Sequence, residues 1–244
     1  MSSGSSLTEY TKALRLGQKE RKDLADAGCD PYPAVLETLL PELSRLSIQD
    51  LPLQDIPADR IIGTKTTGRM NAFSAGFYPL LEPDSEFAGK WMALCDAHLS
   101  DTGIREPVIC YEYLGSFYVQ EGNKRVSVLK SFGAARIPAL IKRVLPAPSG
   151  DARIRTYAEF LDFYHLTQLY DIQYKKTGEY ARLLALLKKA PDEKWTPDEQ
   201  RVFLSRFHSF KEAFNSLEGK HKELSPEEAL LLWLKVYDYE ALSS

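Results

Sequence analysis

The stretch Phe117-Tyr118-Val119-Gln120-Glu121-Gly122-Asn123-Lys124-Arg125-Val126-Ser127-Val128-Leu129-Lys130-Ser131-Phe132-Gly133-Ala134-Ala135-Arg136-Ile137-Pro138-Ala139-Leu140-Ile141 decides the fold. Its aromatic and β-branched opening reads as a strand. Gly122 ends that strand, and Val126, Leu129 and Phe132 recur at helical spacing until Gly133. Ile137 to Ile141 then reads as another strand. Glycine at a strand-to-helix junction lets the backbone turn tightly and approach a ligand with no Cβ in the way. The first amides of a helix lack partners and carry the positive end of its dipole. Asn123, Lys124 and Arg125 add donors and two charges there, which makes an anion site. An ordinary turn with solvated charges would carry the same spacing.

Working outward, Val108 to Tyr113 is a second β-branched and aromatic run, and Leu114-Gly115-Ser116 is short enough to join it to Phe117 as a hairpin. Upstream, Phe87 to Leu99 reads as a helix with Trp91, Leu94, Cys95 and His98 on one side, stopped near Gly103. His98 at that spacing is expected to be a packed histidine. Arg60-Ile61-Ile62-Gly63 reads as a short strand, followed by Thr64-Lys65-Thr66-Thr67-Gly68-Arg69. The hydroxyl of Thr66 and the charge of Arg69 could form the opposite wall of a phosphate pocket; a surface loop is the alternative.

Outside this centre, residues 1–55 read as a helical arm. Leu14, Leu16, Leu24 and Ala27 make Thr8 to Ala27 loosely amphipathic, and a second helix is expected from Val35. Pro146-Ala147-Pro148-Ser149-Gly150 reads as a linker, and residues 151–244 as an all-α domain. Capping patterns at Thr156, Thr196 and Ser225 place helices near 156–174, 197–217 and 226–241, with another near 178–190. The expected fold is therefore α+β: a mixed α/β domain over residues 56–146, the N-terminal arm and a helical C-terminal domain.

Composition sets limits. Hydrophobic residues are 44% and charged residues 27% of 244, an ordinary globular balance. No apolar run approaches the roughly eighteen residues needed to cross a bilayer, and no signal-like core follows the polar leader. A cytoplasmic location without membrane contact is expected. Cys29, Cys95 and Cys110 are too scattered for a disulfide framework, and His98, His165, His208 and His221 show no ligand spacing, so no structural metal is expected.

A net charge of −3 lowers the odds of DNA as the main partner, since phosphate neutralisation supplies most of that affinity. Lys175, Lys176, Arg182, Lys188 and Lys189 do form a basic cluster. Leu183, Leu184, Leu186 and Leu187 leave few polar groups there to read base edges. DNA stays open as a partner without being favoured. Leu230, Leu231, Leu232, Trp233, Leu234, Val236 and Tyr237 make the last helix apolar nearly all round, each burial contributing on the order of 2 kcal/mol. A homodimer through the C-terminal helices is the simplest expectation.

The quoted stretch, with its strand, Gly-x-x-Arg turn, short helix, glycine and Ile-Pro strand, resembles the signature of the ParB/sulfiredoxin superfamily, over about ninety residues. The segment Gly103-Ile104-Arg105-Glu106-Pro107-Val108 is also similar to the family's approach to the hairpin. The resemblance implies nucleotide phosphates held at Gly122 and Arg125, with CTP or ATP as the cofactor and Mg²⁺ as its companion. Sulfiredoxins carry a cysteine where this chain has Asn123, which removes that activity. Free-serine kinases of the superfamily carry an acidic residue before the glycine, as Glu121 does here. Their histidines are replaced by Asn123 and Lys124. ParB proteins use a Gly-x-Arg-Arg version to bind CTP and switch a DNA clamp, and Lys124-Arg125 keeps its doubled charge. A regulatory nucleotide-binding protein is the leading expectation. The alternatives are a Mg²⁺-dependent small-molecule kinase or nucleotide hydrolase with Glu121 as base or metal ligand, and a DNA-associated regulator.

Overall fold

Val108–Tyr113 and Ser116–Glu121 pair antiparallel, Tyr113 opposite Ser116, around a two-residue turn in which Leu114 and Gly115 both have positive φ. Such primed turns match the right-handed twist of the flanking strands. A computed structural model describes residues 3–101, 103–217 and 223–242, with the backbone alone for Ser3, Gly4 and Arg69; His221 lies outside the described residues. The hairpin strands are β4 and β5 of a six-stranded sheet. The others are β1 (Ala34–Val35), β2 (Ser47–Pro57), β3 (Ile61–Thr64) and β6 (Arg136–Leu145), in the order β1-β3-β5-β4-β6-β2. Strands β1, β3 and β5 are mutually parallel, β6 is parallel to β4, and β2 runs antiparallel to β6 along the edge.

On one face of the sheet Tyr111, Tyr118 and Val144 pack under Leu36, Leu40 and Leu43. The opposite face carries Val108, Cys110, Val119 and Ile141, all at most 1% exposed. There α4 (Asn123–Ser131) packs on β4, and α3 (Glu86–Leu99) packs on α4. The Trp91 indole N–H donates to Ser127 Oγ at 2.9 Å, joining the two helices in the buried interior. At the sheet's far end, buried Arg143 donates to Glu112 Oε2 at 2.8 Å, while Glu112 Oε1 accepts from the Gly115 amide at 2.8 Å. That carboxylate fixes both the hairpin turn and the register of β6 on β4.

The N-terminal residues differ from expectation. Helix α1 (Ser3–Asp26) is no detached arm: Tyr10, Ala13 and Leu14 are buried with Trp91 and Cys95, and the Tyr10 and Trp91 rings meet edge-on at 5.2 Å. Its buried stripe is built on tyrosine, alanine and one leucine, whereas Leu16 stays exposed. The helix expected from Val35 reduces to α2 (Leu36–Leu39), because Pro41 drives Leu40 out of helical geometry. A boundary at residue 55 would cut β2, which runs to Pro57.

The chain divides into two units, Met1–Ala147 and Pro148–Ser244. The second holds α5 (Ala152–Thr167), α6 (Glu179–Leu186), α7 (Pro197–Ser216) and α8 (Pro226–Trp233). Its core is aromatic: Phe160, Phe163, Tyr180, Trp195 and Phe203 are all at most 6% exposed. The boxes at Thr196–Glu199 and Ser225–Glu228 are both formed. Thr156 is no cap. Asp151 fills that role by accepting from the Arg153 amide, and the Thr156 hydroxyl bonds back to the Ala152 carbonyl within the helix. Helix α8 ends at Trp233, short of 241; Leu230, Leu231 and Leu234 are buried inside the unit, while Val236 and Tyr237 are exposed.

Candidate functional site

The site begins where β5 stops. Gly122 has φ 98° and ψ 20°, a left-handed turn that passes the chain straight into α4. A Cβ at this position would stand 2.8 Å from Val108 Cγ1 and 3.1 Å from Arg125 Nε, so glycine is required by space as well as by φ. Because glycine is the N-cap, no side chain caps the helix, and its first turn holds no acidic residue. The helix start therefore presents amides and positive dipole to whatever lies before it.

What lies before it is a cleft of about 750 Å³ at the carboxyl ends of the parallel strands β3 and β5. Open α/β sheets place ligands in such positions. Thr64, Thr66 and Gly68 form one wall, Glu121 to Arg125 the end, and Lys90, Ala93 and Leu94 of α3 the other wall. Thr66, Glu121, Gly122, Asn123, Lys124 and Arg125, far apart in part along the chain, thus meet at one cleft. Arg69 has its backbone in the 3₁₀ segment Thr67–Ala72, but its side chain lies outside the described residues.

Each side chain has a distinct setting. Arg125 is only 11% exposed. Its Nη1 donates to the Pro107 carbonyl at 2.6 Å and the Glu106 carbonyl at 3.1 Å. Glu106 Oε2 and Glu121 Oε1 lie 3.5 and 3.6 Å from its guanidinium. Arg125 is therefore a clasp between α4 and the strand-entry segment before β4, with carboxylates already beside its charge. Glu121 meets Arg125, and Lys142 pairs with Asp50 at 3.0 Å. Lys124 Nζ stands 5.0 Å from the centre of the Phe87 ring, a cation–π contact at the cleft's end. Asn123 Oδ1 is buried and makes no hydrogen bond. The Thr64 hydroxyl donates to the Thr66 carbonyl at 2.8 Å, shaping the wall of the cleft.

The α3 wall is the part of the site that the sequence does not announce. Lys90 and Ala93 lie on the outward side of α3, and Leu94, packed in part against the Trp91 and Cys95 core, reaches the cleft beside them. The helical spacing shows such a face, but nothing local says that it looks onto the glycine turn. His98 packs against Phe132, ring centres 4.7 Å apart.

Burial governs the other reactive groups nearby. It pushes the Cys95 thiol up to about 11 and the Cys110 thiol up to about 12, so both stay protonated and unreactive. Lys130, in the last turn of α4, is pushed down to about 8 by burial, with Asp59 and Glu20 acting in the opposite sense. It donates to the Ile61 carbonyl at 2.7 Å, tying α4 to β3. Among the described residues no three His, Cys, Asp or Glu side chains converge as a metal site, and no helix is long and apolar enough to cross a membrane.

In the helical unit the basic cluster is interleaved with carboxylates. Lys176 pairs with Glu228 at 2.8 Å, Lys188 with Asp238 at 3.5 Å, and Lys189 with both Glu193 and Glu199.

No family model matches this chain, and no curated protein or solved structure matches it either.

Proposed function

We propose that this chain is a regulatory nucleotide-binding module of the ParB/sulfiredoxin-like type, holding the nucleotide by phosphate at the start of α4. One observation carries the reading: a helix with a glycine N-cap and no capping side chain opens into a cleft at the carboxyl ends of two parallel strands. Unpaired amides and the helix dipole make such a start an anion site, and glycine lets phosphate approach the backbone. Gly122 and the amides of the first turn would bind the phosphate oxygens, Lys124 would add charge, and Thr66 a hydroxyl from the facing wall. The hairpin, glycine turn, helix and returning strand support this reading, and the family likeness makes CTP or ATP the expected nucleotide.

Bound through Nη1 to the Glu106 and Pro107 carbonyls, Arg125 would also position the helix start. Glu121, held beside Arg125, lends no geometric support to turnover, so binding is favoured over catalysis.

Calorimetric titration of ATP, CTP, GTP and their di- and monophosphates, with and without Mg²⁺, tests the proposal. Micromolar binding of at least one, weakened about tenfold or more in Lys124→Ala, is expected. Failure of every nucleotide to bind overturns it.

A further inference from the structure

We infer that the cleft takes a nucleoside di- or triphosphate in one orientation, with its outer phosphates toward the start of α3, gripped by Lys90, and its nucleoside along Ala93 and Leu94. This rests on the nucleotide reading above and adds a binding residue and a direction to it. The α3 wall is charged at one end and apolar at the other. Lys90 lines the cleft near the start of the helix, whereas Ala93 and Leu94 line it about one turn further on. The charged end is also the end beside α4, because the ring of Phe87, three residues before Lys90, has Lys124 Nζ 5.0 Å from its centre. Residues three apart are neighbours on a helix surface. Lys90 therefore stands beside the place where the first turn of α4 meets α3. A phosphate on the α4 amides has Lys90 at its outer side, and the apolar end of the wall is left for the body of the ligand.

The backbone at this corner is fixed, while the lysine itself is free to swing. Trp91, next to Lys90 in the chain, is fully buried and donates to Ser127 Oγ at 2.9 Å, one turn into α4. That bond sets the spacing between α3 and the start of α4, so the root of Lys90 has a defined place at the cleft. Its ammonium lies 2.5 Å from Glu86 Oε1, with the two side chains 62% and 82% exposed. Exposed pairs of this kind are weak, because solvent screens them and holding two long side chains costs entropy. A terminal phosphate offers more charge than a carboxylate and three acceptor oxygens. The flexible four-carbon stem lets Lys90 leave Glu86 for such a partner without any movement of the helix.

The experiment is calorimetry on the whole chain with the mono-, di- and triphosphates of adenosine and cytidine, each with and without Mg²⁺. Wild type is compared with Lys90→Ala, Lys90→Arg and Glu86→Gln. In at least one of the two conditions, wild type is expected to bind a di- or triphosphate about tenfold or more tightly than the monophosphate of the same base. Lys90→Ala should remove most of that preference and leave monophosphate affinity within about twofold. Lys90→Arg should keep most of it, and Glu86→Gln should leave it intact or enlarge it. Equal weakening of mono- and triphosphates in Lys90→Ala, as a purely structural role would give, overturns the inference and leaves the nucleotide reading standing. So does a wild-type preference for monophosphates, or a Lys90→Ala chain that binds as wild type does. Silence from every nucleotide overturns both.

Discussion

Helices α4 and α7 begin in opposite ways, and the contrast separates a structural end from a binding end. At α7, Thr196 accepts from the Glu199 amide, and Glu199 returns a bond to the Thr196 amide, behind a proline at the first position. Helix α8 repeats the device with Ser225 and Glu228. These sequences answer their own unpaired amides. Helix α4 has a glycine there, lysine and arginine in its first turn, and a cleft in front. Helix α6 is the useful control, since it too starts from a left-handed glycine without a side-chain cap. Its first turn holds Glu179, and the amide of its N-cap, Gly178, is taken by Glu159 at 2.6 Å. An uncapped glycine is therefore not sufficient for an anion site; Gly178 also borders a cleft, one lined by Glu159 and Asp162, and what distinguishes α4 is the absence of acid in its first turn.

The largest expected effect tests that distinction through the two glycines. Gly122→Ala puts a Cβ 2.8 Å from Val108 at φ 98°, adding overpacking to backbone strain. A loss of about 2–4 kcal/mol is expected in the first unit, together with loss of ligand binding. Gly178 has φ 83°, and a Cβ placed there would meet nothing within 4 Å, so Gly178→Ala should cost about 1 kcal/mol from strain alone. Urea unfolding of both variants decides it: equal losses would mean that the Val108 contact does not define the turn.

The other end of α4 supplies the next test. Lys130 falls from 10.5 in the unfolded chain to about 8 when folded, chiefly through burial. Below pH 8 both states are protonated and the cost of the buried charge is fully present. Between pH 8 and 10.5 only the unfolded chain keeps the proton, so stability rises with pH. Relative to Lys130→Met, which cancels the titration of other groups, the wild type should gain about 3 kcal/mol across that window. A flat difference between the two curves would show that Lys130 is not desolvated.

How far the sequence announces all this depends on the range of the interaction. The glycine turn, the hairpin and the boxes at Thr196 and Ser225 are legible because each lies within a few residues. Strand β2 is not. Ser47 to Asp55 is exposed on both faces apart from a few half-buried positions, Pro52 interrupts it, and its partner β6 begins at Arg136. With no buried face there is no alternation to read. Helix α1 reads as an arm because its leucines do not as a set mark its buried side; Tyr10, Ala13 and, of the leucines, only Leu14 do. The role of Arg125 escapes the sequence for a related reason, since the Pro107 carbonyl that holds it lies eighteen positions away. Motif position announces charge, but only the fold says what that charge already touches.

The smallest effect returns to the capped helix and completes the contrast. Thr196→Ala removes the hydroxyl that accepts from the Glu199 amide and should cost about 1 kcal/mol at neutral pH. Half of this box is ionic. Bonds from Lys189, then from the Thr196 amide and hydroxyl, hold the Glu199 carboxyl down at about 2, so its contribution is present above pH 4.5 and is lost as pH falls toward 2. Because the Thr196 hydroxyl also donates to that carboxylate at 2.8 Å, the cost of Thr196→Ala should shrink over the same acid range. The start of α4 holds no such carboxylate, so the cost of Gly122→Ala should keep its size. Unfolding curves of both variants at successive pH values between about 5 and 3 would show one penalty fading and the other constant. Parallel behaviour would mean that the two helix starts are not different in kind.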